Sequence, residues 1–242
     1  MIRRHFQLKE TIVTLIAEHE SEITAAITAI RKQRRELEAY ITRDPFFATT
    51  LEPYDLKGDA PEIVEWMVET TEKVGCGPMA AVAGAIAGFA LSAMIEKGAS
   101  YAIVDNGGDI ALTTDRPIKV GIYAGGSAIN NLALEIAPTP LLGICTSSAT
   151  VGPSISFGIA DAASVLSPDV ALADAAATAL GNALTTDDAI EDAFSVVKDI
   201  SEIDGAFIIH RDRLALWGEL PSFVMVDVNP ELITYRREYV SA

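Results

Sequence analysis

Three short stretches concentrate the side chains able to do chemistry. The first is Asp105-Asn106-Gly107-Gly108-Asp109, two carboxylates and a carboxamide around a glycine pair. Paired glycines let backbone amides approach a ligand closely, and the aspartates suit a hard cation or a sugar hydroxyl. The same residues also suit a tight hairpin turn, for which Asn-Gly is the preferred dipeptide. The second stretch is ALADAAATALGNAL, in which Asp174 and Thr178 stand at i and i+4. That spacing puts both oxygens on one helix face, within reach of one ion, and the surrounding alanines leave room for a ligand. The competing reading is local: the helix dipole favours Asp174 in a first turn, and Thr178 bonds back to its own chain.

The third stretch is GICTSSATVG, residues 143–152. Its hydroxyls, Thr146, Ser147 and Ser148 among them, and its glycines suit a loop that wraps phosphate. Cys145 within it is either an activated, catalytic thiol or a small core residue. Cys76, between Gly75 and Gly77 ahead of a helix amino terminus, sits where a thiolate would be stabilised. Histidine chemistry is hard to assemble from His5, His19 and His210 alone. The first two fall in the amino-terminal extension, and His210, beside Arg211 and Asp212, reads as a surface hairpin residue. The sequence contains no H-E-x-x-H, C-x-x-C, nucleophile elbow, G-x-G-x-x-G loop or Walker loop.

The elements that must position these residues follow from periodicity. Residues 21–40 show helical spacing of apolar residues against a basic face, and Arg43-Asp44-Pro45 ends that helix. A second helix follows Pro61, and an uncharged one runs from Gly77-Pro78 to Lys97-Gly98. YAIVDNGGDIALTTD reads as a β-hairpin, with further strands at 118–124, 131–137 and 162–166. Residues 169–184 read as an Ala-rich helix and 187–200 as an acidic amphipathic one. AIVDNGGDIAL (102–112) and AFIIHRDRLAL (206–216) share length, apolar ends and a polar centre, a faint internal repeat. Strands in hairpins, not alternating with single helices, point away from a doubly wound parallel sheet.

Composition sets the outer bounds. The 242 residues are half hydrophobic and 21% charged, which fits a well-packed globular protein with a substantial core. A formal net charge of −16 excludes nucleic acid as a non-specific partner. The basic cluster of Arg3, Arg4, Arg31, Lys32, Arg34, Arg35 and Arg43 reads as a solvated helix face. Two cysteines and no recognisable signal peptide give a cytoplasmic, reducing setting as the expectation. The uncharged run from Pro78 to Ile95 is nearly bilayer-length, but its Ala and Gly content reads as a helix buried within the protein, with no membrane partner. A homo-oligomer is the default expectation for an enzyme of this size.

Three of these stretches, in this order, resemble ApbE, the FAD:protein FMN transferase family. AIVDNGGDIAL resembles that family's strand ending in N-x-G-G-D, although Asp105 replaces the first Asn. CTSSATVG resembles its T-S-G segment, and ADAAATAL its A-D-A-x-A-T-A-L helix, whose Asp and Thr bind the catalytic magnesium. With GCGPMAAVAGAIAG, the pattern is more similar still to the uncharacterised protein family 0280 of the ApbE-like superfamily. The resemblance covers about residues 75–185. The family's H-x-x-D-P-x-T-G segment has no counterpart in the corresponding interval, PSISFGIADAASVLSPDV.

The resemblance implies an α+β fold with a duplicated T-fold-like architecture, mainly antiparallel sheets and Ala-rich helices. It divides the single domain 1–242 into similar halves at about 1–125 and 126–242, with a helical amino-terminal extension at about 1–45. It makes Asp174 and Thr178 magnesium ligands. It also makes Asp105, Asn106, Gly107, Gly108 and Asp109, with Thr146, Ser147 and Ser148, contacts of FAD or another nucleotide. Two other functions are compatible with the same residues: a thiol or persulfide carrier in sulfur metabolism, with Cys145 taking sulfur from a donor partner, and a non-catalytic binding or assembly protein.

Overall fold

The computed structural model describes residues 1–129, 131–149, 157–226 and 234. Its frame is an eight-stranded sheet in the order β1-β2-β3-β4-β7-β8-β9-β10, with every neighbouring pair antiparallel. In chain order these strands are β1 (Ile2–Leu8), β2 (Thr11–Ala17), β3 (Ala102–Asn106), β4 (Asp109–Thr114), β7 (Thr139–Ser147), β8 (Ala162–Ser167), β9 (Gly205–His210) and β10 (Arg213–Gly218). Both outer quartets are a hairpin, a helical stretch and a second hairpin, joined through β4 and β7. A smaller sheet, β11-β6-β5, is built from β5 (Ile118–Ile122), β6 (Leu132–Ile136) and β11 (Ser222–Met225).

The large sheet separates two cores because strand side chains alternate faces. Val13, Leu15, Val104, Ala111, Cys145, Val165 and Ile208 point to the helical side. There they meet α1 (Glu20–Arg43), α2 (Glu62–Lys73), α3 (Val82–Glu96) and α4 (Val170–Ala183). Their chain neighbours Ile103, Ile110, Leu112, Ile144, Leu166, Phe207 and Ile209 point the other way, against Val120, Leu132 and Leu134 of the small sheet. The α+β class with antiparallel sheets is therefore what the chain adopts. The stretch Pro78–Glu96 has the length and apolarity of a membrane span, yet α3 packs on α1, α4, β3 and β4. Gly88 brings it against the Trp66 ring, where a Cβ would stand 2.5 Å from the indole.

Five expectations need correction. His210, read as a surface hairpin residue, is 5% exposed at the end of β9, with its Nε2 2.9 Å from Asp187 Oδ1. Residues 2–17 are not part of a helical extension but the hairpin β1–β2, paired to β3. Its turn, Lys9-Glu10, contains neither Gly nor Asn, and Lys9 takes φ 55° without them, so the usual hairpin signal is missing. Residues 187–200 form no amphipathic helix; they hold two short 3₁₀ turns, Asp187–Ala189 and Asp192–Val196. Residues 143–147 are not loop: Cys145, Thr146 and Ser147 lie in β7, between β4 and β8. Arg34 does not belong to a solvated basic face. Its side chain is only 12% exposed and donates to Thr11 Oγ1 at 2.9 Å and Glu10 Oε2 at 2.6 Å.

Candidate functional site

The two-residue hairpin between β3 and β4 is the nearest thing to a rim. Gly107 and Gly108 have φ 72° and 108°, values that only glycine adopts readily, so the turn itself requires both. Asp105 Oδ1 closes it by accepting from Gly108 N at 3.0 Å. Beyond the turn the alternation of the strands divides the candidate residues into two sets.

On the helical face stand Asn106 and Asp109, which are cross-strand partners, with Cys145 and Ser147 one strand over. Opposite them α4 brings Asp174 and Thr178; Gly181 of the same helix lies within 3.2 Å of Ser147 Oγ, measured from where its Cβ would be. Asp174 is 8% exposed, and its Oδ2 accepts from Gly84 N at 2.7 Å; Ala83 N is a second donor to the carboxylate. These are the second and third residues of α3, whose own N-cap, Ala81, has no side-chain oxygen to offer. Asp174 therefore does from α4 what an Asp N-cap does within its own helix. Asn106 Nδ2 donates to Ala83 O at 3.0 Å, so the same turn of α3 is held from both sides.

This set is electrostatically strained. Burial pushes the Asp174 pKa up to about 7, against the opposing pull of the Gly84 and Ala83 amides. Burial also raises Asp109 well above the usual carboxylate range, followed by the charges of Asp174 and Asp105. Neither carboxylate is paired with a Lys, Arg or His among the described residues. Cys145 is 0% exposed, 3.6 Å from Val170 O, and its thiol is raised far above its ordinary value by burial and then by Asp109 and Asp174. That environment opposes a thiolate. Cys76 is half-buried, and burial, with Glu52, raises it too.

The opposite face carries a different network. Asp105 Oδ2 accepts from Thr234 Oγ1 at 2.5 Å; Thr234 and Thr14 hydroxyls meet at 2.7 Å, and Thr14 Oγ1 lies 2.9 Å from His5 Nδ1. Thr146 Oγ1 turns to Ser164 Oγ at 2.7 Å. Asp105 and Thr146 are thus directed away from Asp174, while Ser148 is buried just past the end of β7. Thr150 and residues 151–152 of the glycine- and hydroxyl-rich stretch lie outside the described residues. The sequence reading missed the α3 amides at Ala83 and Gly84. The signal available was negative: GPMAAVAG starts a helix without Ser, Thr, Asp or Asn at its cap, so the acceptor must come from elsewhere.

Magnesium fits the donor chemistry present. Asp174 and Thr178 supply carboxylate and hydroxyl oxygens, the hard donors that this ion takes. No group of three or more His, Cys, Asp or Glu able to hold a metal occurs among the described residues. Magnesium needs no such cage, since it is commonly held by one or two carboxylates plus waters and substrate phosphates.

The family profile described as AbpE bacteria matches residues 2–203. The UPF0280 protein of Methanosarcina barkeri (strain Fusaro) is 54% identical over 235 residues, covering 96% of this chain and 93% of that protein. Its counterpart in Methanothrix thermoacetophila is 55% identical over 236 residues, covering 97% and 99%. Among solved structures, the flavin transferase ApbE from Vibrio cholerae superposes with a TM-score of 0.58 at 11% identity, over 89% of this chain and 96% of its own. The apo flavinyl transferase ApbE of Pseudomonas stutzeri gives 0.59 at 12% identity, over 96% and 97%. Those likenesses show the ApbE fold, and with the sequence matches they place the chain: it belongs to the UPF0280 branch of the ApbE-like family.

Proposed function

We propose that this protein binds a flavin or another nucleotide together with magnesium and acts on the nucleotide's pyrophosphate. One observation carries the reading. Asp109 and Asp174 are two carboxylates held in a low-dielectric site, raised in pKa and without a cationic side chain paired to either among the described residues. A divalent cation is the partner that relieves such a pair, and bound there it would offset charge developing on a pyrophosphate. The Thr178 hydroxyl has no hydrogen-bond partner among the described residues and stands one turn along α4, half-buried, as a second oxygen for the same ion. The Gly107-Gly108 turn, Ser147 at the end of β7 and Ser148 just past it would orient the ligand. Kinship with proteins called flavin transferases makes FAD the first nucleotide to try.

The test is a calorimetric titration of FAD, with FMN and ADP as comparators, each with and without magnesium. FAD binding that requires magnesium is the expected result. Absence of binding under every condition would sink the reading.

A thiol or persulfide carrier at Cys145 has no observation in its favour. A sulfur carrier needs an accessible thiol of lowered pKa, and Cys145 has the opposite of both. Iodoacetamide at neutral pH is expected to label Cys145 in the native protein orders of magnitude more slowly than after denaturation, as read by peptide mass spectrometry. Rapid native labelling of Cys145 would reopen that function.

A further inference from the structure

The large sheet ends in two unlike edges. Its outer strands, β1 and β10, each pair with one strand only among the described residues, and an edge of this kind is a template for a further strand. β1 (IRRHFQL) carries Arg3 and Arg4 and no carboxylate. Arg4 and Phe6 lie opposite Leu15 and Val13, on the helical face, and there Arg31 of α1 stands over the Phe6 ring, 5.5 Å from its centroid. That edge is basic. Charged side chains are also what ordinarily keeps an edge strand from pairing at random.

β10 (RLALWG) lacks that protection. Arg213 at its start is its single charge, and Leu216 is 50% exposed. A groove of about 460 Å³ runs beside the strand, between Leu216 and Trp217 and a wall that includes Glu191, Asp192, Phe194 and Lys198. The wall belongs to an acidic stretch: residues 187–204 hold seven carboxylates against one cation, Lys198. An apolar strip under an acidic rim suits an extended strand that is itself apolar and basic.

Charge and direction select the occupant. β10 against β10 of another copy would set Glu191 and Asp192 beside their own counterparts, and β1 against β1 would oppose arginines. β1 against β10 joins opposite signs. The eight strands alternate in direction, so β1 and β10 run opposite ways. A second copy can therefore continue the antiparallel order with its helices on the same side. Seven residues would meet six.

We propose that the β10 edge and its acidic groove receive β1 of a second copy of this chain, with Arg4 and Arg31 meeting Glu191 and Asp192. The contact is heterologous: each copy offers one edge and accepts the other. It is independent of the nucleotide reading.

The test is sedimentation equilibrium over a range of protein concentrations, with thermal melts to establish folding. Wild type is expected to assemble. Glu191→Arg with Asp192→Arg, or Arg4→Glu with Arg31→Glu, is expected to leave monomers. All four substitutions in one chain restore opposite signs at the joint and keep the net charge at −16, so that protein is expected to assemble again. Leu216→Lys puts a charge on the bare edge without touching β1, and it is also expected to give monomers; it decides the case where an arginine variant does not fold. Wild type that stays monomeric at every concentration would overturn the proposal. So would assembly that survives either charge reversal or Leu216→Lys, and so would a folded fourfold variant that remains monomeric.

Discussion

Asp174→Asn is expected to leave the protein folded and to abolish magnesium-dependent nucleotide binding. The carboxamide keeps one carbonyl oxygen for Gly84 N, at 2.7 Å in the wild type, so the start of α3 retains its main acceptor. What disappears is the charge. Binding is expected to weaken at least a hundredfold, which is about 2.8 kcal/mol. Asp174→Ala would answer a different question. It strips the acceptor from both Ala83 N and Gly84 N, and each buried amide left unsatisfied costs about 1–3 kcal/mol. Wild-type affinity for FAD and magnesium in the Asn variant would show that Asp174 is a helix cap and nothing more.

The same substitution has a pH signature. Asp174 titrates at about 7 in the folded chain, against roughly 3.9 for an unfolded aspartate. A raised folded value means that the native state keeps a proton the unfolded state has lost. Its stabilising contribution is complete below the unfolded value and is lost as pH rises through the folded one. Without magnesium, Tm is therefore expected to fall from about pH 4 to about pH 7, and Asp109 adds in the same direction. Asp174→Asn should flatten that fall, and magnesium should raise wild-type Tm most at the alkaline end. A slope unchanged by the substitution would mean that Asp174 is not the titrating group.

The features legible in the sequence were those with local causes. The 3.6-residue period exposed α1, alanine content exposed α4, and the Pro-start and Gly-stop pairs bounded the helical stretch from Pro78 to Glu96. Asn106-Gly107-Gly108 announced its own turn, and both glycines are needed there. Features set by distant partners were hidden. β1 is an edge strand with a mostly exposed face, and its turn at Lys9 and Glu10 lacks turn chemistry, so the hairpin reads as the start of a helix. β7 reads as a loop because Thr146 and Ser147 are polar, yet Thr146 is satisfied across the sheet by Ser164. The candidate site divides in the same way. Asp174 and Thr178 share a helix face by spacing alone, whereas the separation of Asp105 from Asp109 follows from which side of a sheet each residue faces. The role of Asp174 at the start of α3 depends on a contact 90 residues away.

That contact rests on Gly84, and Gly84→Ala is expected to be among the most destabilising single methyl additions near the site. A Cβ there would stand 2.5 Å from Val170 O and 2.6 Å from Asp174 Cβ. Neither obstacle can rotate aside: one is a backbone carbonyl, the other the first atom of a side chain fixed by its helix. In an exposed helix interior Gly→Ala gains up to about 1 kcal/mol from propensity, so the ordinary expectation has the opposite sign. Here α3 and α4 would have to part, and overpacking of this kind costs about 3 kcal/mol, a Tm drop of roughly 6–12 °C for a chain this long. Gly126→Ala provides the control, since a methyl at that position meets nothing within 4 Å and should leave Tm unchanged. A Gly84→Ala protein as stable as wild type would refute the close approach of the two helices. A destabilised one should also lose nucleotide affinity, because the same displacement draws Asp174 off the Gly84 amide and lets in water. The glycine would then have two consequences from one cause: it sets how closely α4 approaches α3, and that distance keeps a carboxylate buried enough to need a cation.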